Sequence, residues 1–149
     1  MKTTSALLLA TALLATSPAW SQVTIDQPWV RATVGPQKAT GAFLTLTAAK
    51  STTLVAVSSP SAGAVEVHEM KMVDDVMRMR QVQALPLPAG KAVALVPGGY
   101  HLMLLNLKRQ LKDGDKVALT FEFEDAAKTR SKVTVDALVK PIGTSATPH

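Results

Sequence analysis

The sequence predicts an all-β protein, a single domain built as an antiparallel β-sandwich or barrel. After the first twenty or so residues, apolar and polar side chains alternate with a period of two rather than 3.6. The apolar runs are short, rich in Val, Leu, Thr and Phe, and separated by turn-forming residues at regular spacing. The chain has 149 residues, which is room for one domain with a substantial core.

The first 21 residues predict a cleavable secretory signal peptide, with a retained membrane anchor as the alternative. Lys2 supplies the positive start, Ala6 to Ala15 form an apolar run, and Ala19-Trp20-Ser21 forms a cleavage site before Gln22. The run is too short to span a bilayer, and no later stretch is long and apolar enough. We therefore expect export to the periplasm, with no membrane insertion of the mature chain.

Nine strands are predicted between residues 22 and 140, which we interpret as one domain. Turn residues separate them, as in Pro97-Gly98-Gly99, Pro86 to Gly90 and Lys112-Asp113-Gly114-Asp115. Residues 141–149 are small, polar and Pro-containing, which predicts a disordered tail. The predicted strands are Thr24–Val34, Gly41–Ala49, Thr53–Ser58, Ala64–Val73, Val76–Gln83, Ala92–Val96, Tyr100–Leu107, Lys116–Glu124 and Ser131–Leu138.

Composition excludes several classes of function. The chain contains no cysteine, which excludes disulfide chemistry, thiolate nucleophiles and the blue-copper centre, because that centre requires a Cys ligand. Aromatic residues make up 4% of the chain, so a base-stacking nucleic-acid surface is not expected. The formal net charge of +5 is modest and spread along the sequence.

Methionine is distributed very unevenly. Apart from Met1, every methionine lies between residues 70 and 103, namely Met70, Met72, Met77, Met79 and Met103. Both histidines of the predicted domain, His68 and His101, lie in the same window. Methionines that only fill a core would scatter among the strands. The clustering therefore favours a metal site over core packing, although core packing remains the alternative for any one of these residues.

Strand geometry places several of these side chains on shared faces. His68, Met70 and Met72 are spaced by two, so they project from one face of a strand. A two-residue loop at Asp74-Asp75 would return the chain with His68 diagonally beside Met79, within reach of a common ion. The pairs predicted by this loop are Val73 with Val76, Met72 with Met77, Met70 with Met79 and Glu69 with Arg80.

The donor chemistry predicts the ion. His101 and Met103 repeat the i, i+2 arrangement on a third strand, so two imidazoles and two thioethers can converge. Neutral soft donors suit a monovalent soft cation, and we therefore expect Cu(I). Zinc would recruit Cys or carboxylate ligands, and calcium would require oxygen ligands.

The motif resembles the signature of the periplasmic PCuAC copper chaperone family. His68, ten residues, Met79, twenty-one residues, His101, one residue and Met103 follow the spacing of its copper(I) motif. The resemblance extends over roughly Val23 to Val139. Its supporting segments are Val67-His68-Glu69-Met70, Met77-Arg78-Met79-Arg80, Pro97-Gly98-Gly99-Tyr100-His101-Leu102-Met103, Trp29-Val30-Arg31-Ala32 and Gly41-Ala42-Phe43-Leu44.

The resemblance implies a cupredoxin-like β-sandwich that holds Cu(I) at an exposed site through His68, Met79, His101 and Met103. It also implies delivery of the ion to the copper subunit of cytochrome c oxidase, alongside a Sco-type thiol protein. We expect a monomer. The tail ends after the single His149, so a second, Cu(II)-binding tail site is not expected.

Two other functions compete with delivery. Copper storage or resistance would use the same ligands, and the residues alone do not separate it from delivery. A copper enzyme is disfavoured, because a site with four soft donors leaves no open position for a substrate. No nucleophile motif appears, so we expect no enzyme activity. Glu69 is interpreted as a surface residue, with support of the His68 imidazole as the alternative role.

Overall fold

The computed structural model describes residues 22–145. The predicted signal peptide, residues 1–21, and the last four residues of the predicted tail lie outside the described residues. All regular structure within this range is β-strand. The strands are β1 (Val23–Arg31), β2 (Ala39–Ala48), β3 (Thr52–Ser58), β4 (Ala62–Val73), β5 (Val76–Gln81), β6 (Leu85–Leu87), β7 (Ala92–Leu95), β8 (Tyr100–Leu107), β9 (Lys116–Asp125) and β10 (Arg130–Lys140).

The all-β, single-domain class predicted from the sequence is confirmed, and all nine predicted strands are present with ends shifted by a few residues. The prediction missed β6, because Pro86 was interpreted as part of a turn. Leu85 and Leu87 are buried on either side of an exposed Pro86, which lies opposite Thr53 at the edge of the sheet. An edge strand tolerates proline because the missing N–H is not needed for a further ladder.

The strands close into a ring. Going around it, the order is β1, β2, β8, β4, β3, β9 and β10, and β10 returns to β1. Most pairings are antiparallel, as predicted, but β1 runs parallel to β10 and β7 runs parallel to β8. The hairpin partner β5 pairs with β4 alone among the described strands, so it forms an exposed edge beside β4.

The interior of this ring is apolar because each strand alternates its faces. On β8, Leu102 and Leu104 are completely buried in the core, together with Phe121 on β9. Burying such a side chain contributes about 1.5–3 kcal/mol. Because Leu102 faces inward, its neighbours His101 and Met103 project from the outer face of the same strand.

An aromatic layer covers part of this outer face. The rings of Trp29 and Phe43 lie 4.6 Å apart between centroids, and the Arg31 guanidinium lies 5.3 Å from the Phe43 centroid. Gly41 lies under the Phe43 ring, where an added Cβ would come within 2.8 Å of it. Gly41 also pairs with Met103, so the aromatic layer borders the strand that carries His101. Among residues 22–145, there is no helix long and apolar enough to cross a membrane.

Candidate metal centre

The β4–β5 hairpin has the register predicted from the sequence. Met72 pairs with Met77, Met70 with Met79, and Val73 with Val76, which confirms the two-residue loop. Asp74 and Asp75 have φ angles of 50° and 60°, which places both in the left-handed region required by a type I′ turn. Aspartate reaches this region more readily than most residues because its short side chain can hydrogen-bond locally.

His68 lies at the centre of the candidate ligands. It pairs directly with His101 on β8, and the two imidazole centroids are 5.9 Å apart. Met103 lies two residues beyond His101, and Met79 lies two residues before Gln81, the β5 partner of His68. Both methionines are therefore diagonal neighbours of His68 on the same outer face, at a typical diagonal spacing of about 7–8 Å.

Met79 and Met103 are not neighbours of each other. They occupy opposite diagonal corners around His68, on strands separated by β4. Met103 is partly buried, whereas Met79 is 52% exposed at the edge of the sheet. The fold thus groups His68, His101 and Met103 closely, and it places Met79 on the solvent-exposed side of the group.

A tight turn orients His101. Val96 accepts a hydrogen bond from the N–H of Gly99, with Pro97 and Gly98 between them and a φ of 86° at Gly98. These are the features of a type II turn. The carbonyl of Gly99 then accepts hydrogen bonds from the N–H of Met70 and from His101 Nδ1, the latter at 3.1 Å. Since a carbonyl can only accept, Nδ1 carries the proton and the Nε2 lone pair of His101 is available.

Glu66 orients the second imidazole. Its Oε2 lies 2.7 Å from His68 Nε2, so Nε2 donates to the carboxylate. His68 Nδ1 is buried and has no hydrogen-bond partner within the described structure. In the neutral ring that atom carries the lone pair, which a metal ion would satisfy. A carboxylate behind a ligating histidine also raises its basicity and fixes its orientation.

Sequence reasoning missed Glu66. The residue considered for support of the imidazole was Glu69, but Glu69 accepts a hydrogen bond from Arg80 Nε at 2.9 Å, in the predicted cross-strand pair. Adjacent residues in a strand point to opposite faces, so Glu69 cannot share a face with His68. Glu66, two residues before His68, can. That i−2 spacing was the available signal.

Burial lowers the pKa of His101 below its usual 6.5, and the nearby His68 and Arg31 lower it further. The hydrogen bond with the Gly99 carbonyl acts in the opposite direction, because it favours the protonated ring. His101 is only 7% exposed. Its imidazole is therefore neutral at pH 7, which is the state that can bind a metal ion.

These donors fit a soft cation. Residues 22–145 contain no group of three or more His, Cys, Asp or Glu side chains placed to hold an ion, so a site made only of those side chains is absent from the described chain. Two imidazole lone pairs and neighbouring thioethers are present instead. Met79 is exposed rather than packed in the core, which contradicts the core-filling alternative for this residue.

Comparison with known proteins identifies a matching family and a similar protein. A family model, LpqE-like, described as "Putative lipoprotein LpqE-like", matches residues 23–135. The uncharacterized protein RP573 of Rickettsia prowazekii is 35% identical over 114 residues, which cover 72% of this chain and 63% of that protein, less than two thirds of its length.

Several solved structures are similar to this chain in fold, including the following two. The Cu(I) form of DR1885 from Deinococcus radiodurans is 30% identical, with a TM-score of 0.59 over 85% of this chain and 83% of that one. The copper-bound PCuAC domain from PmoF2 is 25% identical, with a TM-score of 0.66 over 83% of this chain and 96% of that one. The fold and the family resemblance predicted from the sequence are confirmed by these matches.

Proposed function

The chain belongs to the LpqE-like family, and from this premise we propose that it is an exported copper(I) metallochaperone. It binds one Cu(I) through His68, Met79, His101 and Met103 and delivers the ion to the copper centres of cytochrome oxidase. A similar protein, DR1885, has a solved Cu(I) form, and the PCuAC domain of PmoF2 has a copper-bound one.

The observation that carries this proposal is that the two imidazoles are neighbours and that each leaves one ring nitrogen free of protein hydrogen bonds within residues 22–145. His68 and His101 lie side by side, each with one ring nitrogen committed to a protein acceptor. The remaining lone pairs, on His68 Nδ1 and His101 Nε2, belong to one outer face that also carries Met103. Cu(I) accepts such neutral nitrogen and sulfur donors without any anionic ligand.

Delivery requires that the ion can leave, and the position of Met79 supports this. Among the four proposed ligands, Met79 comes from an exposed edge strand, whereas the histidines are held by hydrogen bonds to Glu66 and Gly99. Replacement of the Met79 thioether by an incoming ligand is therefore the proposed first exchange step. The acceptor then displaces the more buried donors.

Two observations support the proposed export, namely the N-terminal sequence and the lipoprotein description of the matched family. The proposed location is the periplasm, with a mature chain that begins at Gln22. Expression of the full gene product with cell fractionation and mass measurement of the mature chain tests this. Recovery of an uncleaved chain in the cytoplasm would contradict it.

The decisive functional experiment is copper transfer to an apo copper-binding subunit of cytochrome c oxidase. The Cu(I)-loaded protein is mixed anaerobically with the apo subunit or with an apo Sco-type protein, and the metal content of each is measured after separation. Transfer should exceed that from a small-molecule chelate buffered to the same free Cu(I). Equal or lower transfer to both acceptors would favour storage or resistance instead.

Two variants test whether transfer depends on the proposed copper site. His101→Ala should lose tight Cu(I) binding and hence the transfer that depends on it. Glu69→Ala, which removes the neighbouring carboxylate that faces away from the site, should retain both and serves as the matched control. A protein that binds Cu(I) tightly but transfers none would leave the metal site intact and overturn the delivery role alone.

A further inference from the structure

The β4–β5 hairpin carries more thioethers than the proposed copper site uses. Met70 and Met72 on β4 stand opposite Met79 and Met77 on β5, all on the face that bears His68. With Met79 assigned to the proposed copper site, three sulfur atoms remain without a role, those of Met70, Met72 and Met77. We call these three residues the methionine ladder.

Packing does not explain the ladder. Met72 is 57% exposed and Met77 is 45% exposed, whereas Met70 is half-buried. Large apolar side chains at an exposed sheet edge contribute little to stability, and they risk edge-to-edge association. Leu, Val and Phe fill the core instead. Met72 and Met77 are thus accessible to a ligand from solution, and Met70 is partly so.

The register brings these thioethers within reach of one ion. Residues directly opposite in an antiparallel pair have Cβ atoms about 4.5–5.5 Å apart, and diagonal neighbours are somewhat farther. Met72 and Met77 form the direct pair, and Met70 is diagonal to Met77. Methionine has three flexible side-chain torsions, so its sulfur can adjust to a shared ion.

We propose that the methionine ladder is a second, weaker site for a monovalent soft cation, Cu(I) or Ag(I), bound by three thioethers. It lies between the tip of the hairpin and the proposed four-ligand site, so it is the first donor group that an ion meets on approach along this edge. The inference rests on the proposed function only for the identity of the natural ion.

The donor set explains why this site is weaker, because the ladder lacks imidazole donors. Nearby charges do not strengthen it. Lys71 pairs directly with Arg78 on the opposite face of the hairpin, both are exposed, and they offset the carboxylates of Asp74 and Asp75 at the tip. Ions should therefore fill it only after the site that contains His68 and His101.

Native mass spectrometry of the full chain with increasing Ag(I), a redox-inert probe, tests the stoichiometry. The wild type should bind a first ion tightly and a second ion more weakly. The double variant Met72→Leu, Met77→Leu should bind only the first, with its affinity changed less than twofold. The matched control Val73→Leu, Val76→Leu alters the same end of the hairpin without removing sulfur, and it should bind two.

A complementary variant separates this inference from the proposed function. His101→Ala with Met103→Leu should lose the tight site and still bind one Ag(I), with the ¹³C methyl resonances of Met72 and Met77 shifting on addition. A wild type that binds one ion only, or a Met72→Leu, Met77→Leu variant that still binds two, would overturn the ladder site. If the wild type binds no ion tightly, this result would instead overturn the proposed function.

Discussion

The Glu66 carboxylate lies 2.7 Å from His68 Nε2, and His68 Nδ1 is buried with no hydrogen-bond partner among residues 22–145. An unpaired buried nitrogen normally costs about 1–3 kcal/mol. A fold that retains one beside a second histidine and two thioethers is prepared for an ion at that point. Glu66 binds no metal in our proposal, but through His68 it should influence the affinity of the site for Cu(I).

Replacement of Glu66 by Ala should weaken Cu(I) binding about 10–100-fold, because the ring of His68 loses the acceptor that fixes its orientation and its proton. Glu66→Gln keeps an acceptor oxygen and should cost less. A competition titration against a chromophoric Cu(I) chelator measures both. Glu69→Ala is the control, and an equal loss in that variant would show that the effect is not specific to the carboxylate behind His68.

Replacement of Gly98 by Ala should destabilise the turn before His101. The φ of 86° at Gly98 costs an alanine about 1–2 kcal/mol. Gly99→Ala is the matched control, since an added Cβ there meets only ordinary contacts near Val96. Urea denaturation of the apo protein should show a lower free energy of unfolding for the first variant only. Equal stabilities would contradict the type II geometry of this turn.

The His101 imidazole should titrate below pH 6.5 in the apo protein, because burial, then His68 and Arg31, lower its pKa. The folded state therefore binds this proton less readily than the unfolded state. Between the folded pKa and 6.5, this residue makes the free energy of unfolding increase with pH. NMR of the ring resonances across pH 4 to 8 measures the midpoint.

The charge of Arg31 offers a direct check on the cause. Arg31→Gln should raise the pKa of His101, but by less than burial lowers it, because burial is the larger effect. Arg109→Gln removes a guanidinium that pairs with Asp115 instead, and it should leave the midpoint unchanged. A wild-type midpoint at or above 6.5 would contradict the buried, neutral imidazole.

Replacement of Met79 by Leu should lower Cu(I) affinity about tenfold or more, which corresponds to about 1.4 kcal/mol per factor of ten. The fold should survive, because the side chain is exposed and leucine has a similar volume. Met77→Leu, at the preceding position on the same face of β5, is the control and should preserve the tight site. Loss of folding in Met79→Leu, seen by circular dichroism, would return this residue to a packing role.

Local patterns were sufficient to predict most of the fold. Alternation with period two located nine strands, and Asp74-Asp75 fixed the register of the hairpin, since a two-residue turn permits one pairing only. The strand at Leu85–Leu87 was not predicted, because proline normally indicates a turn. The parallel pairing of β1 with β10 joins distant segments. Such a pairing depends on closure of the whole ring, which no local pattern reports.

Sequence patterns predicted which candidate ligands lie on the same strand face, but not which groups hold those side chains in place. The i, i+2 spacing predicted that His101 and Met103 share one face of a strand, and the structure shows that His101 pairs directly with His68 on the neighbouring strand. The partners that set each tautomer, Glu66 and the Gly99 carbonyl, depend on side-chain and turn geometry. The corner position of Met79 relative to Met103 likewise required the order of β5, β4 and β8.

The central claim is that one Cu(I) is held by His68, Met79, His101 and Met103, and X-ray absorption at the copper edge tests it most directly. The protein loaded with one equivalent should show the edge of Cu(I) and a first shell of both nitrogen and sulfur. Met79→Leu and Met103→Leu should each reduce the sulfur contribution. A shell of nitrogen and oxygen alone, unchanged in both variants, would contradict the proposed site.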